Sequence, residues 1–289
     1  MKYAYYPGCS LHSTATEYEE TTRTVCATLG VELAEIPDWN CCGATSAHAT
    51  NHLLSLALPA RDLAKAEQMG LDVVAPCAAC YNRMAQTIHE TKDNEVLRHK
   101  VSQVIGAEYQ GTVKAKSLLE VLAADIGPKV VEAKVQKPLK GLKVAAYYGC
   151  LLVRPPAVTG WDDAENPQSM ERLMTALGAE TVDWSHKTEC CGASLTISRT
   201  DIVAKLTHDI LDAAKAAGAD AIVCACPMCQ ANLDGRQGLV EKTYKTQYHL
   251  PVFYFTQLMS LAFGKEPYKL GFARHSIDPR ELLHSKEIA

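Results

Sequence analysis

The sequence predicts two similar α/β domains, each built on a parallel sheet and related by a pseudo-two-fold duplication. Strand-like segments alternate with helical ones of about ten or more residues, and a five-cysteine pattern occurs twice. The first set is Cys9, Cys41-Cys42-Gly43, Cys77 and Cys80; the second is Cys150, Cys190-Cys191-Gly192, Cys226 and Cys229. Between the adjacent pair and the closing Cys-x-x-Cys lie 34 residues in both halves. Between the lead cysteine and the pair lie 31 residues in the first half and 39 in the second. Each lead cysteine ends a similar stretch, Tyr5-Tyr6-Pro7-Gly8-Cys9 and Tyr147-Tyr148-Gly149-Cys150. Ten of twelve cysteines in a repeated order, with a length change in one segment only, indicate two equivalent soft-ligand sites.

The elements follow in order. Lys2–Tyr6, short and rich in tyrosine, is a strand, and Thr14–Leu29 a helix closed by Gly30. Val31–Ile36 is a second strand, stopped by Pro37 just before Cys41. A helical stretch runs from about Ser46 to Met69, broken at Pro59 and ended by Gly70. Asp72–Ala75 is a short buried strand, and Pro76-Cys77 opens the next helix. In the second half Lys143–Tyr148 is a strand, Ser169–Leu177 a helix before Gly178, and Glu180–Trp184 a strand. Arg199–Ala217 is a helix before Gly218, and the strand Asp220–Ala225 delivers Cys226. A last matched pair is Val113–Ala123 beside Val252–Ala262. The expected halves are Rossmann-like, 1–135 and 136–265, with a linker near Val130–Leu139, right-handed crossovers and a polar tail over 266–289 for docking on a partner.

This topology bears on chemistry, because open parallel sheets gather ligands at the carboxyl ends of their strands. Cys9, Cys77, Cys150 and Cys226 each follow a predicted strand directly, and both Cys-Cys pairs come a few residues after one. Distant cysteines are therefore expected to converge at one edge of each half.

Composition narrows the classes. A chain of 289 residues, 47% apolar and 21% charged, is that of a folded globular protein. Its net charge of −4 lacks a basic block, so no nucleic-acid surface is expected. No secretory signal is evident, and no apolar run approaches the roughly 18–20 residues of a membrane span. The expected location is cytoplasmic, where a disulfide scaffold is not the role of twelve cysteines and metal or redox chemistry is the better account.

A four-iron cluster or a structural zinc takes four ligands, whereas each set offers five. Adjacent cysteines chelate one ion awkwardly but suit a larger multi-iron body. Zinc in one or both halves stays open, as does thiol–disulfide exchange, which leaves six cysteines unexplained. Inert burial suits Cys26 and Cys224. There is no Cys-x2-Cys-x2-Cys-x3-Cys run, no Gly-x-Gly-x-x-Gly after the first strand and no phosphate-binding loop, so a partner must supply electrons. The eight extra residues of the second half fall within Leu151–Pro167, which contains Arg154 and Trp161. Arg154 and Lys187 are candidate anion-binding residues, and His48 and His186 candidate proton donors; solvated or core side chains are the duller alternative for all four.

These motifs, Cys9…Cys41-Cys42-Gly43…Cys77-Ala78-Ala79-Cys80 and Cys150…Cys190-Cys191-Gly192…Cys226-Pro227-Met228-Cys229, resemble the two CCG domains of the heterodisulfide reductase B subunit over about residues 1–263. The resemblance implies two noncubane [4Fe-4S] clusters. Cys9, Cys41, Cys42, Cys77 and Cys80 would hold one, and Cys150, Cys190, Cys191, Cys226 and Cys229 the other. It further implies reduction, between the clusters, of the coenzyme M–coenzyme B heterodisulfide of methanogenesis or a related small disulfide to two thiols. Each cluster would contribute one electron. The implied partners are a C subunit with ferredoxin-type clusters and a flavin-containing A subunit. CCG domains also occur in succinate and glycolate oxidase subunits and in lactate-utilisation proteins. An electron-transfer or structural subunit, with one cluster plus zinc in the other half, is the alternative.

Overall fold

The computed structural model describes residues 1–44 and 47–288, and within them the chain builds two four-stranded sheets in which every pairing is parallel. The first half runs β1 (Lys2–Tyr5), α1 (Gly8–Leu11), α2 (Thr16–Thr28), β2 (Glu32–Glu35), α3 (Ala47–Thr50), α4 (His52–Met69), β3 (Val73–Ala75), α5 (Ala78–Thr91), α6 (Glu95–Ile105) and β4 (Ala115–Ser117). A short helix α7 (Leu118–Glu120) continues into a π turn over Val121–Ile126, and α8 (Pro128–Glu132) leads to the second half. There β5 (Lys143–Tyr147), α9 (Pro156–Thr159), α10 (Ser169–Ala176), β6 (Glu180–Thr181), α11 (Thr200–Ala216) and β7 (Ala221–Cys224) are followed by α12 (Pro227–Gly235), α13 (Gln237–Tyr244), β8 (Val252–Tyr254) and α14 (Phe255–Ala262). The strand orders, β2-β1-β3-β4 and β6-β5-β7-β8, are the same order twice. The predicted duplication is thus present at the level of topology.

The central strands are apolar on both faces, as a sheet covered on both sides requires: Ala4, Tyr5, Val73, Val74, Val144, Ala145, Ile222 and Val223 are all buried. Two departures from expectation have local causes. Pro59 does not break its helix; α4 runs through it, and the interruption lies at Asn51, whose side chain accepts from the Leu54 N–H and caps the new start at 3.0 Å. Ser46, where the helical stretch was expected to begin, lies outside the described residues. Strand β6 is two residues long instead of five because the Trp184 indole N–H donates to the Ala146 carbonyl at 3.1 Å, occupying an acceptor on β5 that a longer strand would need.

The halves exchange helices. Helix α2 of the first half lies on α14 of the second, and α10 of the second lies on α8 and the π turn of the first. Tyr18 and Tyr254 stack in parallel across this boundary with centroids 4.2 Å apart, and the Thr21 and Thr256 hydroxyls meet at 2.8 Å.

The residues after Gly264, expected as a tail for a partner, are instead folded onto their own chain. Leu270, Phe272 and Leu283 are buried, the Ser276 N–H donates to Asp234 at 2.6 Å, and α15 (Arg280–Ser285) precedes Lys286, which pairs with Asp220 at 2.8 Å. This segment carries His275, buried against Phe253 and Phe272. Its Nε2 meets the Gln257 amide nitrogen at 2.9 Å, and its Nδ1 has no partner among the described residues. Burial pushes the imidazole from its ordinary 6.5 down to about 4. The unfolded chain takes up this proton as pH falls through about 6.5, while the folded chain resists until about 4. The stabilisation is therefore complete above 6.5 and is lost on acidification across that window. The melting temperature of His275→Gln is expected to fall less than that of the unsubstituted chain between those two pH values.

Candidate metal centre

Each site begins at the carboxyl end of a central strand. Gly8 and Gly149, one residue before each lead cysteine, have φ of 71° and 64°, a conformation that favours glycine. A Cβ on either would stand 3.2 Å from a sulfur, that of Cys80 in the first half and Cys229 in the second. The tyrosine two residues earlier, Tyr6 or Tyr147, donates its O–H to the carbonyl just before the cysteine pair, Asn40 or Glu189, at 2.7 Å in both halves. The shared Tyr-x-Gly-Cys stretch thus brings together the lead cysteine, the pair and the closing cysteine.

Close approaches between thiols occur in each set. Cys42 and Cys80 lie 3.3 Å apart, and their counterparts Cys191 and Cys229 3.6 Å apart. Cys41 bonds Cys42, and Cys150 bonds Cys190. Backbone N–H groups of Gly43 and Gly192 point to Cys41 and Cys190 sulfurs at 3.5 and 3.3 Å. Cys77 and Cys226 precede the first residues of α5 and α12 and face each other across the halves, each shifting the other's acidity. The two sets therefore meet at this contact.

Crowding sets their acidity. The bond from Cys41 pulls Cys42 down to about 3, and Cys41 is correspondingly raised. The bond from Cys150 brings Cys190 down to about 6 and raises Cys150. Bonds from Cys229 and Cys77 lower Cys226, while Cys77, Cys80 and Cys229 rise because neighbouring thiols and burial disfavour further charge. Among the described residues, no three or more His, Cys, Asp or Glu side chains are grouped so as to hold a single metal ion. Soft donors, five per half and strung out rather than gathered round a point, fit a polynuclear iron–sulfur group better than a lone ion. Added positive charge would let the raised thiols ionise. Cys26 is buried apart from these thiols and pushed up to about 12 by burial, whereas Cys224 is buried with its thiol donating to the Cys226 carbonyl at 3.9 Å.

A cavity of about 210 Å³ adjoins the second set. All five second-set cysteines line it, and none of the first. The first half contributes His48, Ala78, Ala79 and Arg83 to the opposite wall. Of the four other residues singled out from sequence, only His48 lines this cavity. Arg154 is held by Glu165 at 2.8 Å and the Thr188 hydroxyl at 3.1 Å. Lys187 is buried, paired with Glu171 at 2.8 Å and bonded to Asn166 at 3.0 Å. His186 is half-buried outside the cavity, and its Nδ1 meets the Ser185 hydroxyl at 2.8 Å. Arg83 was not anticipated. Its place three residues after Cys80, on a helix that starts at the site, was the available signal.

The profile of the CCG cysteine-rich domain family matches residues 3–85 and 144–234, which contain the two cysteine sets. Over 97% of this chain and 99% of the other, the sequence is 34% identical to the 8-methylmenaquinol:fumarate reductase membrane anchor subunit of Wolinella succinogenes. It is 31% identical to the B subunit of the ferredoxin/F(420)H(2)-dependent CoB-CoM heterodisulfide reductase of Methanosarcina acetivorans, over 98% and 96% of the two chains. A crystal structure of a hypothetical protein from Helicobacter pylori shares the fold at a TM-score of 0.75 and 12% identity, covering 96% of this chain and 52% of that one. No helix among the described residues is long and apolar enough to cross a membrane. With both cysteine-rich domains matched and the similarity running end to end, the chain belongs to the family of heterodisulfide reductase B subunits and their oxidoreductase homologues.

Proposed function

We propose that the chain is the catalytic subunit of a heterodisulfide reductase-like complex and reduces a small disulfide to two thiols. Each of the two cysteine sets would hold a noncubane [4Fe-4S] cluster. The observation that carries this is the cavity walled by thiols on one side and by the first half on the other, with the two sets in contact at Cys77 and Cys226. When bound, the clusters supply the two electrons that cleavage of an S–S bond takes, one from each. Equal donor sets, each with the second cysteine of its pair near its closing cysteine (3.3 Å for Cys42 and Cys80, 3.6 Å for Cys191 and Cys229), favour the same group in both over a cluster in one and zinc in the other.

The chain's own residues do the rest. Ala78, Ala79, Leu151 and Met228 give the cavity apolar walls that exclude water from a bound disulfide. His48 is exposed at its edge, where it can exchange protons with solvent and deliver them to a departing thiolate. The Tyr148 hydroxyl is bonded to Glu171 and the Met170 N–H, so it braces the wall rather than serving as the acid. Electrons would arrive from a partner carrying ferredoxin-type clusters, itself fed by a flavin-containing subunit.

A second reading is favoured by the 34% identity to a fumarate reductase subunit: the chain would relay electrons within a different oxidoreductase, with no disulfide turned over. Anaerobic purification separates the outcomes. The expected result is about eight irons per chain with matching sulfide, and a paramagnetic signal that changes on adding a disulfide to the reduced protein. Eight irons with no response to any disulfide favours the relay. An iron-free, zinc-only chain would sink both.

A further inference from the structure

The two halves hold their cysteine pairs by matched contacts that differ at one place. The backbone N–H just before each pair belongs to Asn40 in the first half and to Glu189 in the second. Glu189 donates to the His186 carbonyl at 3.3 Å, within its own turn. Asn40 donates instead to the Asp62 carboxylate, at 2.9 Å. Asp62 and Leu211 hold the same position in the duplication, each 20 residues after the second cysteine of its pair, and both are fully buried.

A leucine therefore serves in one half where the other buries an acid, at the cost of taking a carboxyl out of water. Asn40 itself is fixed on every side. Its carbonyl accepts from Tyr6, its side-chain amide donates to the Cys41 and Leu58 carbonyls at 2.9 and 3.0 Å, and its side-chain oxygen accepts from Arg61 at 2.9 Å. Of the two Asp62 oxygens, Oδ1 accepts the Asn40 N–H, while Oδ2 is buried with no partner among the described residues. The charged and titratable groups facing Asp62 are Arg61 and Lys65 on its own helix, Cys42 of the pair and Tyr6 beyond β1. Both cations pair with the exposed Asp38 rather than with Asp62. Burial outweighs them and lifts the Asp62 carboxyl from its ordinary 3.8 to about 7, with Cys42 pushing the same way. An electron taken up at the first set adds negative charge on the side of Cys42 and favours the neutral acid. By linkage, a proton on the acid favours the electron in return.

We propose that Asp62 couples electron uptake at the first cysteine set to uptake of one proton, and that the second set lacks this coupling. One electron from a ferredoxin-type donor reduces the group held by Cys41 and Cys42. One proton from solvent converts the Asp62 carboxylate to the acid at Oδ2, so the charge of this half does not change. The inference rests on the proposal that the first set holds a redox-active group, and it makes the twin centres unequal in their response to pH.

The full chain, purified anaerobically with its iron, is poised with dithionite and mediators between about pH 6 and 9 and followed by electron paramagnetic resonance. Above about pH 7, reduction of one centre is expected to become up to about tenfold less favourable per pH unit, and the other should stay flat. Cys229→Ala, which removes a donor of the second set, should retain the sloping centre. Asp62→Asn, whose amide oxygen still accepts the Asn40 N–H, should abolish the slope, and Asp62→Glu should keep part of it. Reduced-minus-oxidised infrared spectra should gain a protonated-carboxyl band that Asp62→Asn lacks. Should Asp62→Asn not fold, displacement of that band in Asp62→Glu carries the test. Two flat centres, a slope that survives in Asp62→Asn, or no carboxyl band would overturn the inference. A sloping centre without disulfide turnover defeats the reductase proposal alone, and turnover with two flat centres defeats this inference alone. A chain with no reducible centre defeats both.

Discussion

Cys229→Ala is expected to lose about half of the bound iron and to lower disulfide reduction at least about 100-fold, more than the 10–100-fold typical of groups that only support a metal ligand. Cys229 sits at the centre of the second set: its sulfur is 3.6 Å from Cys191, it bonds Cys226, and Gly149 is kept free of a side chain beside it. Alanine there removes a donor and leaves a gap that no neighbouring cysteine can fill without moving its own backbone. Iron analysis and electron paramagnetic resonance, read with an assay driven by a chemical reductant, check the result. Cys26→Ala is the control, since Cys26 lies outside both cysteine sets and should change neither measurement. Full activity in Cys229→Ala would remove the second set from the chemistry.

Lys187→Met is expected to cost about 3–5 kcal/mol of stability, because it strands a buried carboxylate. The Lys187 and Glu171 side chains are only 5% and 9% exposed and meet at 2.8 Å. Glu171 also accepts from the Tyr148 hydroxyl, while the Lys187 carbonyl receives the Tyr148 and Gly149 N–H groups at 2.8 and 3.1 Å. Those two residues lead into Cys150, so the pair supports the backbone that presents the second set. Combining Lys187→Met with Glu171→Leu should recover much of the loss, since an apolar pair of similar volume leaves no uncompensated charge. Urea denaturation of the single and double variants measures both quantities.

The fold was legible where periodicity and cysteine spacing agreed. Alternating apolar strands and capped helices located β1–β3, β5–β7 and the helices α2, α4, α5, α10 and α11, while α6, α12 and α13 were not anticipated. The 34 residues between matched motifs in both halves announced the repeated strand order. Contacts between side chains distant in sequence were not legible. Nothing local in Trp184 tells that its indole will take the Ala146 carbonyl and shorten a strand. Nor does spacing reveal that Arg154 and Lys187 have partners of their own, Glu165 and Glu171, 11 and 16 residues away respectively. Arg83 was hidden because its place in the cavity becomes visible only once the opposite wall is present. The polar residues after Gly264 misled because their few apolar anchors, Leu270, Phe272 and Leu283, are too widely spaced to form a period.

The exchange of helices between halves has a mechanical consequence. Two lobes joined by a thin linker would be free to swing. Here α2 is pinned on α14 and α10 on α8, with stacked tyrosines between, so neither half has an independent surface to hinge upon. The gap between the first-half wall and the sulfur-bearing wall of the cavity is therefore tied to these helix contacts. If the proposed reduction takes place there, selection would fall to the length of the incoming molecule, with the protein acting as a gauge rather than a closing jaw.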